Sequence, residues 1–182
     1  IDYNHRLKTL NGLGNFGSII SGDLRITFND SLSNISALSH VTDITQDVFI
    51  DYNSILPSLA GFNPIGINGN ISISFNPKLT ALMGFQSVGF INGNLTINSN
   101  ALLANIHSLN HSVSIGGNLS IQNNLQLAVC QVKAVCDYLS GPWGTTASIF
   151  GNYSGCNSPQ EVSALCVNMP LPITLEKFSA IC

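Results

Sequence analysis

His107 and His111 stand four residues apart, the spacing at which two imidazoles on one helix face could hold a metal ion. They flank Leu109, however, in a stretch whose apolar residues recur every third position, so the local reading is a solvated loop. His5 and His40 stand alone, with no acidic partner recurring beside them. Serines are plentiful, yet none sits in a G-x-S-x-G elbow. No phosphate-cradling glycine loop occurs either, because the Gly116-Gly117 pair belongs to a recurring structural phrase. Catalysis needs converging titratable groups. The expectation is a protein that is not an enzyme, with no cofactor and no metal.

Cysteine is the other reactive residue, and all five lie in the last third of the chain: Cys130, Cys136, Cys156, Cys166 and Cys182. The intervals of 5, 19 and 9 intervening residues lack a C-x2-C knuckle, and no nearby histidine completes a zinc site. The favoured reading is a disulfide-bound cap on an extracellular protein, with zinc as the rival. Four cysteines, Cys130, Cys136, Cys156 and Cys166, allow three pairings, and their spacing does not choose among them. Cys182 is left over, and its partner is expected beyond the end of this chain.

The elements that must position these residues are written in a repeat. Full copies of Ile-x-Gly-Asn-Leu-x-Ile-x-x-Asn-x-x-Leu-x-x-Leu begin at Ile20, Ile44, Ile67, Ile91 and Ile115, spaced by 24, 23, 24 and 24 residues. A partial copy opens the chain, where Ile1-Asp2-Tyr3-Asn4 matches Ile50-Asp51-Tyr52-Asn53. A fixed period of this size marks a stacked repeat protein. Within each copy, apolar and polar residues alternate across Leu24/Ile26, Val48/Ile50, Ile71/Ile73, Leu95/Ile97 and Leu119/Ile121, as in a half-buried strand. The three-residue apolar spacing that follows, Leu103-Ile106-Leu109 in one copy, suits a tight or 3₁₀-like return path. Neighbouring strands would then form a parallel sheet with about 4.8 Å between them.

Between strand and return path stands one asparagine per copy: Asn4, Asn29, Asn53, Asn76, Asn100 and Asn124. A buried carboxamide both donates and accepts, so a column of them can satisfy inward-facing backbone groups and one another. Aspartate there would bring an unpaired charge, and leucine no hydrogen bond. The glycines at 22, 69, 93 and 117 read as a corner needing permissive dihedrals, although Gln46 breaks that column.

Composition narrows the partners. Only 8% of the residues are charged and the net charge is −3, which disfavours nucleic acid as a ligand. The apolar content argues against disorder, and no apolar run approaches a membrane span. The opening inside a repeat reads as a mature or trimmed product. Seven asparagines (29, 34, 70, 94, 110, 118 and 152) precede x-Ser or x-Thr, a number that a chain this rich in Asn, Ser and Thr makes by chance. Asn29 belongs to the interior column, where a glycan could not fit, and Asn34 or Asn110 are the candidate acceptors in a glycosylating host.

The phrase I-x-G-N-L-x-I-x-x-N-x-x-L-x-x-L resembles the receptor L-domain family, a leucine-rich-repeat-like right-handed parallel β-helix. The resemblance covers roughly residues 1–127 and implies about six 24-residue coils. Relatives of that family occur in growth-factor receptor ectodomains, fungal cell-wall proteins and secreted bacterial proteins. The segments Cys130–Leu139, Ser148–Asn152 and Gly155–Val162 are similar to the cap of secreted repeat proteins from Bacteroidota-type bacteria. They read as helix, strand and helix, with a Ser158/Glu161 capping box, Pro159 in the first turn, and Val162 and Leu165 covering the core. Met169–Phe178 resembles the start of an immunoglobulin-like module, which makes it a linker first, a self-packed tail second and an intermolecular strand third. The expected organisation is a repeat solenoid at 1–126, a Cys-rich α/β cap at 127–168 and the linker at 169–182.

The outward face of the strand sheet is the remaining candidate surface. It comprises Arg25, Thr27, Phe49, Asp51, Ser72, Ser74, Thr96, Asn98, Ser120 and Gln122. One reading is a solvated face of short β-compatible residues; the other is a platform for a protein or polysaccharide at the cell surface. The expected function is a non-catalytic, extracellular, secreted or surface-attached module for adhesion or recognition. The alternative is a structural subunit that joins copies of itself into an assembly. As a first check on the repeat, Leu103→Ala should cost about 2–5 kcal/mol through the cavity it leaves, read from the shift of a urea unfolding curve.

Overall fold

Each copy of the phrase folds into two short strands joined by a corner, followed by a turn-rich return. The computed structural model describes residues 1–166; the expected linker, the last residues of the cap and Cys182 lie outside the described residues. The two-residue strands β1 (Ile19–Ile20), β3 (Asp43–Ile44), β5 (Gly66–Ile67), β7 (Phe90–Ile91) and β9 (Ser114–Ile115) form one parallel sheet in that order. The longer strands β2 (Leu24–Thr27), β4 (Val48–Asp51), β6 (Ile71–Ser74), β8 (Leu95–Asn98) and β10 (Leu119–Gln122) form a second, closed at one edge by β11 (Ser148–Phe150). Register follows the repeat: Ile26 lies opposite Ile50, Ile50 opposite Ile73, Ile73 opposite Ile97, Ile97 opposite Ile121, and Ile121 opposite Ile149. The chain is thus an α/β protein built on two parallel sheets with few helices.

The core runs along the stack. Ile26, Ile50, Ile73, Ile97 and Ile121 form one fully buried column, and Leu32, Leu56, Leu79, Leu103 and Leu127 form another across from it. Phe62 and Phe85 meet edge to face with ring centroids 5.8 Å apart in the return path. That path includes 3₁₀ turns at Asn11–Leu13, Ser36–Leu38 and His107–Leu109. Its start is the same in successive repeats, since the amides of Leu32, Leu56, Leu79, Leu103 and Leu127 donate back to the carbonyls of Asn29, Asn53, Asn76, Asn100 and Asn124.

The asparagine side chains bind one repeat to the next. The Oδ1 of Asn76 accepts the backbone N–H of Asn53 at 3.0 Å and its Nδ2 at 3.2 Å. Asn76 Nδ2 in turn donates to Ile50 O at 2.7 Å and Ser74 O at 3.1 Å. Asn29, Asn53, Asn100 and Asn124 repeat this pattern, all fully buried. Asn4 differs: its backbone N–H donates to Asn29 Oδ1, but its own carboxamide is exposed and folds onto Asp2 O. It lies at the edge of the described stack. At the other end the column gains Asn152, whose Oδ1 accepts both N–H groups of Asn124, and Asn157 Oδ1 accepts the Asn152 amide.

The cap contains two helices, α1 (Lys133–Ser140) and α2 (Pro159–Cys166), and two disulfides, Cys130–Cys156 and Cys136–Cys166. Ser158 Oγ accepts the Glu161 amide as a capping residue should, but the Glu161 carboxylate does not return the bond. It accepts the N–H groups of Gly155 and Asn157 instead, at 2.6 and 2.7 Å, bracing the loop before the helix. Val162 is fully buried, whereas Leu165, expected to share that task, is 37% exposed. No helix among the described residues is long and apolar enough to cross a membrane. Because Asn100 serves three neighbours at once, Asn100→Ala should cost about 3–5 kcal/mol, measured by chemical unfolding; a loss under about 1 kcal/mol, the worth of one ordinary hydrogen bond, would show that the column is dispensable.

Candidate functional site

Strand alternation sends every second residue of the longer sheet outward. Arg25, Phe49, Ser72, Thr96, Ser120 and Ser148 therefore make one row across the strands, and Thr27, Asp51, Ser74, Asn98, Gln122 and Phe150 make a second. The face is less open than the sequence implies. Thr27 is 6% exposed because Asp2 lies beside it and accepts its hydroxyl at 2.8 Å, and Ser74 is 7% exposed. Phe49, Asp51, Ser72, Thr96, Asn98, Ser120 and Gln122 are half-buried, and Arg25 is exposed. The Arg25 guanidinium lies 4.4 Å from the centroid of the Phe49 ring and within 4 Å of the Asp2 and Asp23 carboxylates.

Asp51 is the most constrained acid on this surface. Its Oδ1 accepts the Ser72 hydroxyl at 2.8 Å and the Ser74 amide at 2.7 Å. Burial raises its carboxyl above the ordinary value of 3.8, against those two hydrogen bonds and the attraction of Arg25, which lower it. Asp30, on the return side, is shifted the other way: hydrogen bonds from Ser54 and His5 hold it below its ordinary value. His5 Nδ1 and Asp30 Oδ2 are 2.6 Å apart, and both side chains are exposed. Ser54 bonds the acid rather than the imidazole, so this is not a relay that activates a serine. His111 Nε2 lies 2.8 Å from Val88 O, and His107 is exposed on its 3₁₀ turn.

The most prominent exposed feature was not identified in the sequence. The residue before each column asparagine has a positive φ, between 55° and 57°, at Tyr3, Phe28, Tyr52, Phe75, Ser99 and Asn123. Four of the six are aromatic, although bulky side chains rarely occupy that region. Their rings stack continuously: centroids are 4.6, 4.5 and 4.6 Å apart and the planes within 3°, 5° and 7° of parallel. The signal was the aromatic at one fixed phrase position in four consecutive copies. It falls between the alternating strand residues and the asparagine, outside both periodic patterns.

A second polar ladder occupies the corner between the two sheets. Asp23 Oδ1 accepts the Asp47 amide, Asp47 Oδ1 accepts the Asn70 amide and Nδ2, Asn70 Oδ1 accepts those of Asn94, and Asn94 Oδ1 accepts the Asn118 amide. This ladder corrects the reading of the corner glycines. Gly22, Gly69, Gly93 and Gly117 do not have positive φ. A Cβ at Gly93 would instead stand 2.6 Å from Asn70 Oδ1 and 2.7 Å from the Gly69 carbonyl, so close approach excludes a side chain there, as at Gly69 and Gly117, whereas a Cβ at Gly22 would meet nothing within 4 Å. The amides of Asn29, Asn70, Asn94 and Asn152 are all engaged through Nδ2. Asn34 and Asn110 are exposed and use only Oδ1, accepting the amides of Ser36 and Lys133.

No protein-family model, no curated protein and no solved structure matches this chain.

The Asp51 shift has a definite sign. The folded state holds that proton more tightly than the unfolded chain, so ionising Asp51 above its ordinary pKa costs stability. Asp30 and Glu161 act oppositely, stabilising the fold above their ordinary values and losing that effect as pH falls below them. Asp51→Asn keeps the Oδ1 acceptor without the charge. The melting temperature of the variant minus that of the wild type should be larger at pH 7 than at about pH 4. An equal difference at both pH values would remove the burial argument.

Proposed function

We propose that the chain is a leucine-rich-repeat-like β-helix solenoid, resembling receptor L-domains, that serves as a non-catalytic recognition module of a secreted or surface-attached protein. The observation that carries this reading is the longer sheet's outward face, a register-locked array of hydroxyls and amides interrupted by the Arg25–Phe49 pair. Rows of short polar groups on a rigid scaffold suit binding more than bond-making. Two disulfides in the cap fit an oxidising, extracellular setting. The resemblance to repeat proteins of Bacteroidota-type bacteria favours a bacterial surface protein.

A second reading, a subunit that joins copies of itself, is favoured by two exposed apolar side chains, Phe16 and Ile19, beside the short-stranded sheet. A single species across a wide concentration range in sedimentation velocity counts against it. The recognition reading is tested by screening the protein against arrays of extracellular proteins and glycans, then re-testing the retained binder. Phe49→Ala and Thr96→Arg should each weaken binding about tenfold or more, the scale of an interface anchor, without lowering the melting temperature. Unaltered binding by both variants would exclude this face.

A further inference from the structure

The stack of Tyr3, Phe28, Tyr52 and Phe75 borders the sheet face, and its geometry restricts what could bind there. Each inner ring has spent both broad faces on its neighbours, at centroid spacings near 4.6 Å. What reaches solvent is a ridge of ring edges and tyrosine hydroxyls, with Tyr3 66%, Tyr52 42% and Phe75 41% exposed. A sugar ring stacks on an aromatic face, and between Tyr3 and Phe75 no face is open to it. Ring edges carry partial positive charge and pack against carbonyl oxygens and aliphatic chains, both of which an extended polypeptide supplies.

Charge points to the kind of polypeptide. Six of the chain's nine carboxylates lie in the first 51 residues, against three Lys or Arg, while residues 52–132 carry a single charged side chain, Lys78. Two of these acids, Asp30 and Asp51, flank the middle of the ridge. Asp51 immediately precedes Tyr52, and Asp30 accepts a hydrogen bond from Ser54, two residues beyond Tyr52. Tyr, Phe and Arg side chains gathered in this way are the residue types that anchor protein interfaces.

Resting on the recognition reading above, we propose that the aromatic ridge and its flanking carboxylates bind an extended polypeptide segment bearing lysine or arginine side chains. The ring edges and Tyr hydroxyls contact its backbone and aliphatic stems, and Asp30 and Asp51 receive its cations. Neutral polysaccharide is the disfavoured alternative, because the inner rings Phe28 and Tyr52 offer no stacking face and only the two end rings keep one face unstacked.

The test titrates three fluorescent probes against the whole chain at physiological salt: a peptide of about twelve residues alternating lysine and threonine, its glutamate–threonine counterpart, and cellohexaose. Only the lysine peptide should saturate. Tyr52→Asn, which places at that position the residue type Asn123 carries in the same column, should weaken it about tenfold, the scale of one interface anchor. Asp30→Asn should weaken it to a similar extent, and Ser99→Ala, in the same column beyond the ridge, should leave it unchanged. Melting temperatures establish that each variant folds, and Asp30→Asn decides the question if Tyr52→Asn does not. The proposal is overturned if the lysine peptide fails to saturate, if the glutamate peptide or cellohexaose binds as well, or if the folded variants bind like wild type. Failure here alongside a partner sensitive to Phe49→Ala would leave the recognition reading standing.

Discussion

An asparagine carboxamide accepts at one end and donates at the other, and between successive rungs of this protein both capacities are used. Asn53, Asn76 and Asn100 each accept a backbone N–H and an Nδ2 from one side and return Nδ2 to a carbonyl. The strands end where the chain turns inward, so those backbone groups would otherwise be buried without partners. Losing a partner inside a protein costs about 1–3 kcal/mol per group. Removing the column would therefore disturb several groups per repeat and would dominate the small net stability of a domain this size. The apolar columns of Ile and Leu supply the burial, but the amides determine where each rung sits on the next.

The aromatic stack depends on the same arrangement. Holding Tyr52 or Phe75 at a positive φ costs of order 1–3 kcal/mol, and it is repeated because the asparagine that follows must turn inward in every copy. Stacking each ring on the next recovers about 0.5–1.5 kcal/mol beyond area burial. Ser99 and Asn123 occupy the same backbone conformation without rings, so the turn itself does not demand an aromatic. The aromatics are confined to the half of the stack that also holds most of the carboxylates, and that coincidence gives the surface its polarity.

Much of this arrangement was legible in the phrase. The period fixed which residues would lie opposite one another, and Ile26, Ile50 and Ile73 pair as the spacing requires. The strand alternation identified which side chains face outward, but not how far each is covered: Thr27 is buried by Asp2, a contact between copies that no single phrase contains. The corner glycines read as needing permissive dihedrals, but at Gly69, Gly93 and Gly117 it is close approach that excludes a side chain. Periodic glycine is equally consistent with a positive φ and with a neighbour that leaves no room, and only Asn70 beside Gly93 distinguishes the two. The Asp23-to-Asn118 ladder mixes two residue types and so lacks the uniformity of the interior column. The disulfide pairing depended on cap geometry, which the spacing of four cysteines does not determine.

The bonds from one interior carboxamide to the next all run one way. Each oxygen takes its bonds from the earlier rung, up to Asn152, where Asn157 of the cap supplies the final acceptor. Among the described residues the Asn4 oxygen receives no such bond. The column is therefore directional, and its far end is sealed by the cysteine-linked helices. Inserting a whole phrase into such a molecule renews the same junctions, whereas insertion of a fraction of a phrase would break the column at a single point.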